Sequence, residues 1–127
     1  MNKALGLIGI AKRGGKLGIG YEVSSIAVRD GKAKAICTAS DASERTRDWA
    51  SSLDIPHLPL PATKAELGAL LGRASCGQLV IFDLGIAAAV AEKLSEDSSE
   101  YSAALEELQA QNARQIKRKQ KKLSRKG

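Results

Sequence analysis

Residues Ala11–Ala42, AKRGGKLGIGYEVSSIAVRDGKAKAICTASDA, decide how this chain is read. They hold a helix end, a glycine-rich turn, a second helix, a basic link, an apolar strand and a new helix cap. Gly14-Gly15 ends the first helix, because glycine tolerates the left-handed cap. The second helix is expected from about Gly20 to Arg29, with Val23, Ile26 and Ala27 on one side. Asp30-Gly31 stops it. Lys34–Ala39 (KAICTA) is an apolar run bounded by polar residues, which marks a buried strand. The glycines lie ahead of a helix N-terminus and beside Lys12, Arg13 and Lys16. Free backbone N–H groups and positive side chains there suit a phosphate-bearing ligand.

The spacing excludes the familiar nucleotide loops. A Walker loop ending at Gly15-Lys16 needs glycine at position 10, which is Ile10, and Ser or Thr at position 17, which is Leu17. Gly18-Ile19-Gly20 lacks the third glycine of a dinucleotide loop, since position 23 is Val23. Two readings stay open at this point: a helix cap with a tight turn, or an RNA-phosphate site.

Outward from this stretch, Asn2 caps a first helix over about Lys3–Arg13. Lys16–Ile19 is a short strand. Asp41-Ala-Ser-Glu44 resembles a capping box opening a third helix to about Leu53, with Trp49 and Leu53 facing the core. Ile55–Leu60 is extended, because Pro56, Pro59 and Pro61 forbid helix, and it suits a sheet edge. Thr63-Lys-Ala-Glu66 is a second capping box, followed by a helix to about Leu71 and a loop over 72–77. Gln78–Asp83 (QLVIFD) is the other buried strand, and Ile86–Leu94 a helix. From Glu100 the chain has good helix formers and sparse apolar spacing at Ala104, Leu105, Leu108 and Ile116, as in a helix fraying into a tail. Alternating helices and strands over 1–95 predict a three-layer α/β/α sandwich around a small mixed sheet. The expected division is a domain over 1–98 and a polar, basic extension over 99–127, helical or disordered.

The charge is unevenly placed. Residues 112–127 carry eight cations and no acid, whereas the rest holds 12 basic and 14 acidic residues. The basic character is therefore a property of the tail, and a nucleic-acid arm is favoured over a solvated one. Lys117, Arg118, Lys119, Lys121 and Lys122 are its candidate phosphate contacts. Membrane-surface binding is disfavoured, since Ile116 and Leu123 are the tail's only large apolar residues. No apolar run is long enough to span a bilayer. The N-terminus MNKALGLIGIAKRGG lacks the apolar core and cleavage site of a secretory signal, so a cytoplasmic location is expected. Cys37 and Cys76 have neither metal-ligand nor redox spacing. His57 is the only histidine and reads as an ordinary, partly buried one. Asp83 and Asp41 read as helix caps. No acid pair or Cys/His cluster supports catalysis or a metal, so no enzyme, no metal and no cofactor are expected.

The order KRGGKLGIGYEV, DGKAKAICTASDASERT, IPHLPL, TKAELGALLG and QLVIFDLGIAAAV resembles the kink-turn RNA-binding superfamily of ribosomal proteins, the seven-Ae/thirty-e type. It is most similar to small bacterial members encoded near translation factors. The resemblance spans roughly residues 3–94. It implies an α/β/α sandwich that grips bent RNA with the start of the second helix and the loop before the last strand. The family's entry motif is Gly-Thr-Asn-Glu with a Lys three residues on. Aligned on the helix-ending Gly31, it falls on Gly20, Tyr21, Glu22, Val23 and Ile26, of which only Gly20 matches. Glu22 stands for the base-reading Asn, Val23 for the guanine-binding Glu, and Ile26 for the phosphate-binding Lys. The loop counterpart is about Arg73–Cys76, which adds Arg73 and Ser75 to the candidate RNA contacts.

The resemblance thus implies a non-catalytic RNA-binding protein of ribosomal type with altered kink-turn readout. Its partners would be ribosomal or other structured RNA and ribosomal proteins, with the chain itself a monomer. A protein-interaction module that kept the sandwich and lost RNA readout is the alternative.

Overall fold

Two four-residue segments, Ala35–Thr38 (β2) and Gln78–Ile81 (β4), are buried at every position. They pair antiparallel in the middle of a four-stranded sheet, Ala35 opposite Ile81 and Thr38 opposite Gln78. Leu17–Ile19 (β1) flanks β4 antiparallel, and His57–Pro59 (β3) flanks β2 in parallel, giving the order β1-β4-β2-β3. This computed structural model describes residues 2–126. The expected strand at 55–60 is the edge strand β3, where Pro59 costs no ladder bond on its open side.

The sheet's faces alternate residue by residue, as strand geometry requires. Ala35, Cys37, Leu79 and Ile81 enter one core with Ala4 and Ile8 of Lys3–Arg13 (α1), Leu67 and Leu71 of Lys64–Leu71 (α4), and Val90 and Leu94 of Leu84–Ser95 (α5). Ile36 and Val80 enter the other with Ala27 of Tyr21–Arg29 (α2) and Ala50 of Glu44–Ser51 (α3). Helices on both faces make the three layers, so the α/β/α sandwich with a mixed sheet stands. No described helix is long and apolar enough to cross a membrane.

Caps place the helices. Asn2 Oδ1 accepts from Ala4 N at 2.7 Å, Asp83 Oδ1 from Ile86 N at 2.9 Å, and Thr63 and Glu66 form the expected reciprocal box. Two expectations are corrected, the α3 cap and the α3 end. The α3 cap is Ser43, whose Oγ accepts from Thr46 N; Asp41 instead accepts from Lys64 N at 2.7 Å and so caps α4, across 23 residues. α3 ends at Ser51, short of Leu53, although Trp49 and Leu53 both pack, partly buried, against the second core as expected. On α2 the inward residues are Ser24 and Ala27, while Val23 and Ile26 are 43% and 49% exposed. Ser24 and Ala27 are small enough to let the helix lie close to the strands, and the larger residues are turned aside.

The C-terminal segment is helical throughout its described length. A 3₁₀ turn, Ser99–Tyr101, leads into Ser102–Lys126 (α6). Tyr101 and Leu108 are buried in the larger core, and the Tyr101 hydroxyl donates to the Pro59 carbonyl. α6 runs back along α5, bringing Asn112 beside Gly85 and Arg114 beside Leu84. It has 25 residues, ~37 Å of helix, against 12 residues, ~18 Å, for α5. Its basic half therefore extends past the start of α5, and 116–124 are all exposed.

Candidate nucleic-acid interface

The start of α2 is unlike the other capped helices. Gly20 sits at φ 92°, ψ 171°, a region essentially reserved for glycine, and supplies no side-chain cap. The N–H groups of the first turn are left free, with the positive end of the helix dipole behind them. Gly20 N donates to Gln78 O at 3.0 Å, which ties the helix start to the first residue of β4. The α4–β4 loop, residues 72–77, ends at that same point. Two segments separated in sequence by some fifty residues thus meet at one end of the sheet.

That loop is held close to α4. A Cβ on Gly68 would stand 2.7 Å from both Arg73 O and Ser75 Cα, so only glycine admits the loop backbone there. Cys76 N donates to Lys64 O at 2.9 Å and closes the loop's far side. Arg73 and Ser75 are exposed on it. The Lys12 ammonium lies 3.5 Å from where a Cβ of Gly72 would be, so Lys12 adjoins the loop's start.

Between α2 and α3 lies a cleft of about 350 Å³ lined by Tyr21, Arg45, Thr46, Trp49 and Gln78. The Tyr21 and Trp49 rings meet edge to face, with centroids 5.1 Å apart at 66°. Gln78 shares the strand face of Val80, which turns its side chain toward this layer.

The expected cations do not gather round Gly20. Lys16 opens β1 at the opposite end of the sheet, where its carbonyl accepts from Phe82 N at 2.8 Å, ~13 Å from Gly20 along an extended strand. Arg13 is exposed at the end of α1. Tyr21 and Glu22 are exposed on the first turn of α2, and Glu22 is the acidic residue of that turn. Lys117, Arg118, Lys119, Lys121 and Lys122 are exposed on α6. Arg114 and Arg118 share a 220 Å³ cleft with Lys34 and Leu84, at the Lys16 end of the sheet. The interface candidates therefore fall into two groups at opposite ends of the strands.

No model of a protein family matches the chain. The RNA-binding protein YlxQ of Enterococcus faecium is 39% identical over 75 residues, covering 56% of this chain and 72% of that protein. The chain belongs to the YlxQ family. Among solved structures, a Bacillus halodurans protein of unknown function superposes with a TM-score of 0.68 at 26% identity, over 75% of this chain and 99% of that one. A 15.5 kD RNA binding protein of Giardia lamblia superposes with a TM-score of 0.57 at 18% identity, over 75% and 84% of the two chains. These likenesses bear out the fold.

In this YlxQ-family chain the two cysteines are buried and the histidine is held between hydroxyl partners. Burial, and then the nearby Cys76, push the Cys37 thiol above its ordinary range, and burial also raises Cys76. Neither is a ready nucleophile. His57 Nε2 lies 2.8 Å from Thr38 Oγ1 and Nδ1 3.1 Å from Ser51 Oγ, bridging β2 and α3, and desolvation lowers its pKa. Among the described residues no cluster of His, Cys, Asp or Glu could hold a metal. The sequence reading missed Arg45, Trp49 and Gln78 as lining of the cleft beside Gly20. The one signal that could have found them was Gln78, a polar residue opening an otherwise apolar strand.

Proposed function

We propose that this protein binds structured RNA, gripping it at the start of α2 and the α4–β4 loop. The observation that carries the reading is the uncapped helix start over Gly20, bonded to the strand that follows that loop, in a chain whose relative YlxQ is named an RNA-binding protein. Backbone N–H groups recognise phosphate without regard to side-chain identity. The side chains that would read a kink-turn are changed: Val23 and Ile26 cannot hydrogen-bond to bases or phosphate, and Glu22 repels phosphate. Shape recognition with weakened base readout follows, and α6 supplies electrostatic affinity. We further propose that the protein is non-catalytic, monomeric and cytoplasmic, and that its RNA and protein neighbours are those of the ribosome.

Crosslinking in cells followed by sequencing of the bound RNA tests this, with ribosomal RNA the expected product. In vitro, affinity for that RNA should fall with rising salt, as counterion release requires. No RNA binding at low salt would overturn the proposal. The protein-interaction alternative draws on the exposed Val23 and Ile26. It would be favoured by a partner that survives nuclease treatment and is lost on Val23→Asp.

A further inference from the structure

The cleft where α6 meets the Phe82 end of the sheet is lined by cations and amides and by no acid. Lys34, Leu84, Gln111, Arg114, Gln115 and Arg118 surround about 220 Å³. Lys34 N donates to Ile81 O at 2.9 Å, which fixes that lysine on the sheet. Arg114 and Arg118 are one helical turn apart and share a face of α6. Three charges of one sign, from two separate elements, thus converge on one space. None of the three makes an ion pair among the described residues. The acids nearby in sequence are engaged elsewhere. Asp30 pairs with Arg29, Asp83 Oδ1 accepts from Ile86 N, and Glu107 Oε1 accepts from the Gln111 amide at 3.2 Å. Like charges gathered without a counter-ion work against the docking of α6. A cleft lined by one sign of charge also concentrates ions of the other.

The cleft continues on both sides. Lys34 also lines a neighbouring hollow with Gly31, Lys32 and Phe82. Gln115 and Arg118 line another with Lys119, Lys121 and Lys122. Shared residues join the three hollows into one basic track, from the α2–β2 link across the domain and onto α6. A lone phosphate would fill only its middle, whereas a chain of phosphates matches its length. We infer that this track seats the sugar-phosphate backbone of an RNA strand, with one phosphate held between Lys34 of the domain and Arg114 and Arg118 of α6. The arginine forks can each pair two phosphate oxygens, and Lys34 adds a point charge. That phosphate offsets the mutual repulsion of the three cations and ties α6 to the sheet. The basic half of α6 is then one wall of a groove whose other wall is the domain. Contacts of this kind orient the strand without reading its sequence. This inference rests on the RNA-binding reading above and adds Lys32, Lys34 and Arg114 to it, at the end of the sheet remote from Gly20.

The full chain, with labelled backbone amides, is titrated at low salt with ten-nucleotide oligouridylate, an unstructured strand. The amides of Lys34 and Arg114 should shift together along one binding curve. Lys34→Gln and Arg114→Gln, both at positions at least partly exposed, should each weaken binding several-fold. Each should also make the log–log salt slope shallower by about 0.7. Because the two side chains meet one phosphate, the double variant should lose less than the product of the single losses. Lys3→Gln removes an exposed cation at the start of α1 and should change neither quantity. A Lys34 amide that stays still, with Lys34→Gln binding no more weakly than Lys3→Gln, would overturn the inference and leave α6 a free-standing arm with RNA binding intact. Inorganic phosphate that shifts both amides where oligouridylate does not would overturn it in favour of a small anion. Polyglutamate that binds more tightly than oligouridylate, and through Lys34, would overturn it in favour of an acidic protein. If neither oligouridylate nor ribosomal RNA binds, the RNA-binding reading itself fails and the track assignment falls with it.

Discussion

The two ends of the sheet are built for different work. At the Gln78 end, Gly20, Tyr21, Trp49 and the 72–77 loop make a shaped surface with isolated charges, among them Glu22, Arg45 and Arg73. At the Phe82 end, Lys16, Lys34 and the basic half of α6 present charge without a comparable shape. Phosphate contacts hold and orient a nucleic acid, whereas shape and base contacts choose it. On the proposed RNA-binding reading, the separation would give selectivity to one end and affinity to the other. It also reconciles a body of net negative charge with that proposal: eight cations sit on a helix that outruns the sheet and its packed helices.

The most drastic way to break this division is to strip the affinity end. Replacing Lys117, Arg118, Lys119, Lys121 and Lys122 together with Gln keeps a good helix former at each exposed position. RNA affinity at low salt should fall on the order of 10²-fold, and the log–log salt slope should become shallower by about 0.7 for each single-strand phosphate that is no longer neutralised. Preference among RNAs should survive. A filter-binding series over several salt concentrations reads both quantities.

Substitution at the shaped end should do the reverse. Gly20→Val forces a β-branched residue to φ 92° and should cost about 1–3 kcal/mol of stability, seen as a lower denaturation midpoint. Weak, salt-sensitive binding should remain, but discrimination between a structured RNA and a plain duplex should vanish. Gly68→Ala is milder. The added Cβ presses on the Arg73 and Ser75 backbone, while alanine regains up to about 1 kcal/mol of helix propensity. A net loss of about 1 kcal/mol is expected in urea unfolding, with shape discrimination reduced.

The smallest effect comes from His57, beside Thr38 at the shaped end. Its folded pKa lies below its ordinary value of 6.5 because burial disfavours the charged ring. Below that value the unfolded chain takes up the proton first, so stability falls as pH drops from 6.5 toward the folded pKa and is level above it. His57→Asn should flatten that acid slope. Urea midpoints between about pH 5 and pH 8 check it.

The fold was largely legible in the sequence because its strongest signals are local. KAICTA and QLVIFD could only be buried strands, and Asn2, Thr63 and Asp83 cap the helices that follow them. What local patterns could not give was phase and partnership. Helical spacing grouped Val23, Ile26 and Ala27, but close approach to the sheet selects the small Ser24 and Ala27 instead. Asp41 matched a capping box with Glu44, yet its partner is Lys64 N, which only the folded chain brings near. The cleft was hidden for the same reason. Tyr21, Arg45, Trp49 and Gln78 come from two helices and a strand, and only the β1-β4-β2 order seats Gln78 between those helices. Lys16 shows the converse: near Gly20 in sequence, it is carried to the other end by an intervening strand.

The division of labour is tested most directly by following backbone amides of the labelled full chain by NMR. Two RNAs are compared, a kink-turn stem-loop and the same stem with its internal loop replaced by Watson–Crick pairs. The account predicts that amides of 114–124 shift with both, while those of Gly20–Val23 and Arg73–Gly77 shift only with the kinked RNA. Shifts confined to α6 and identical for the two RNAs would contradict it.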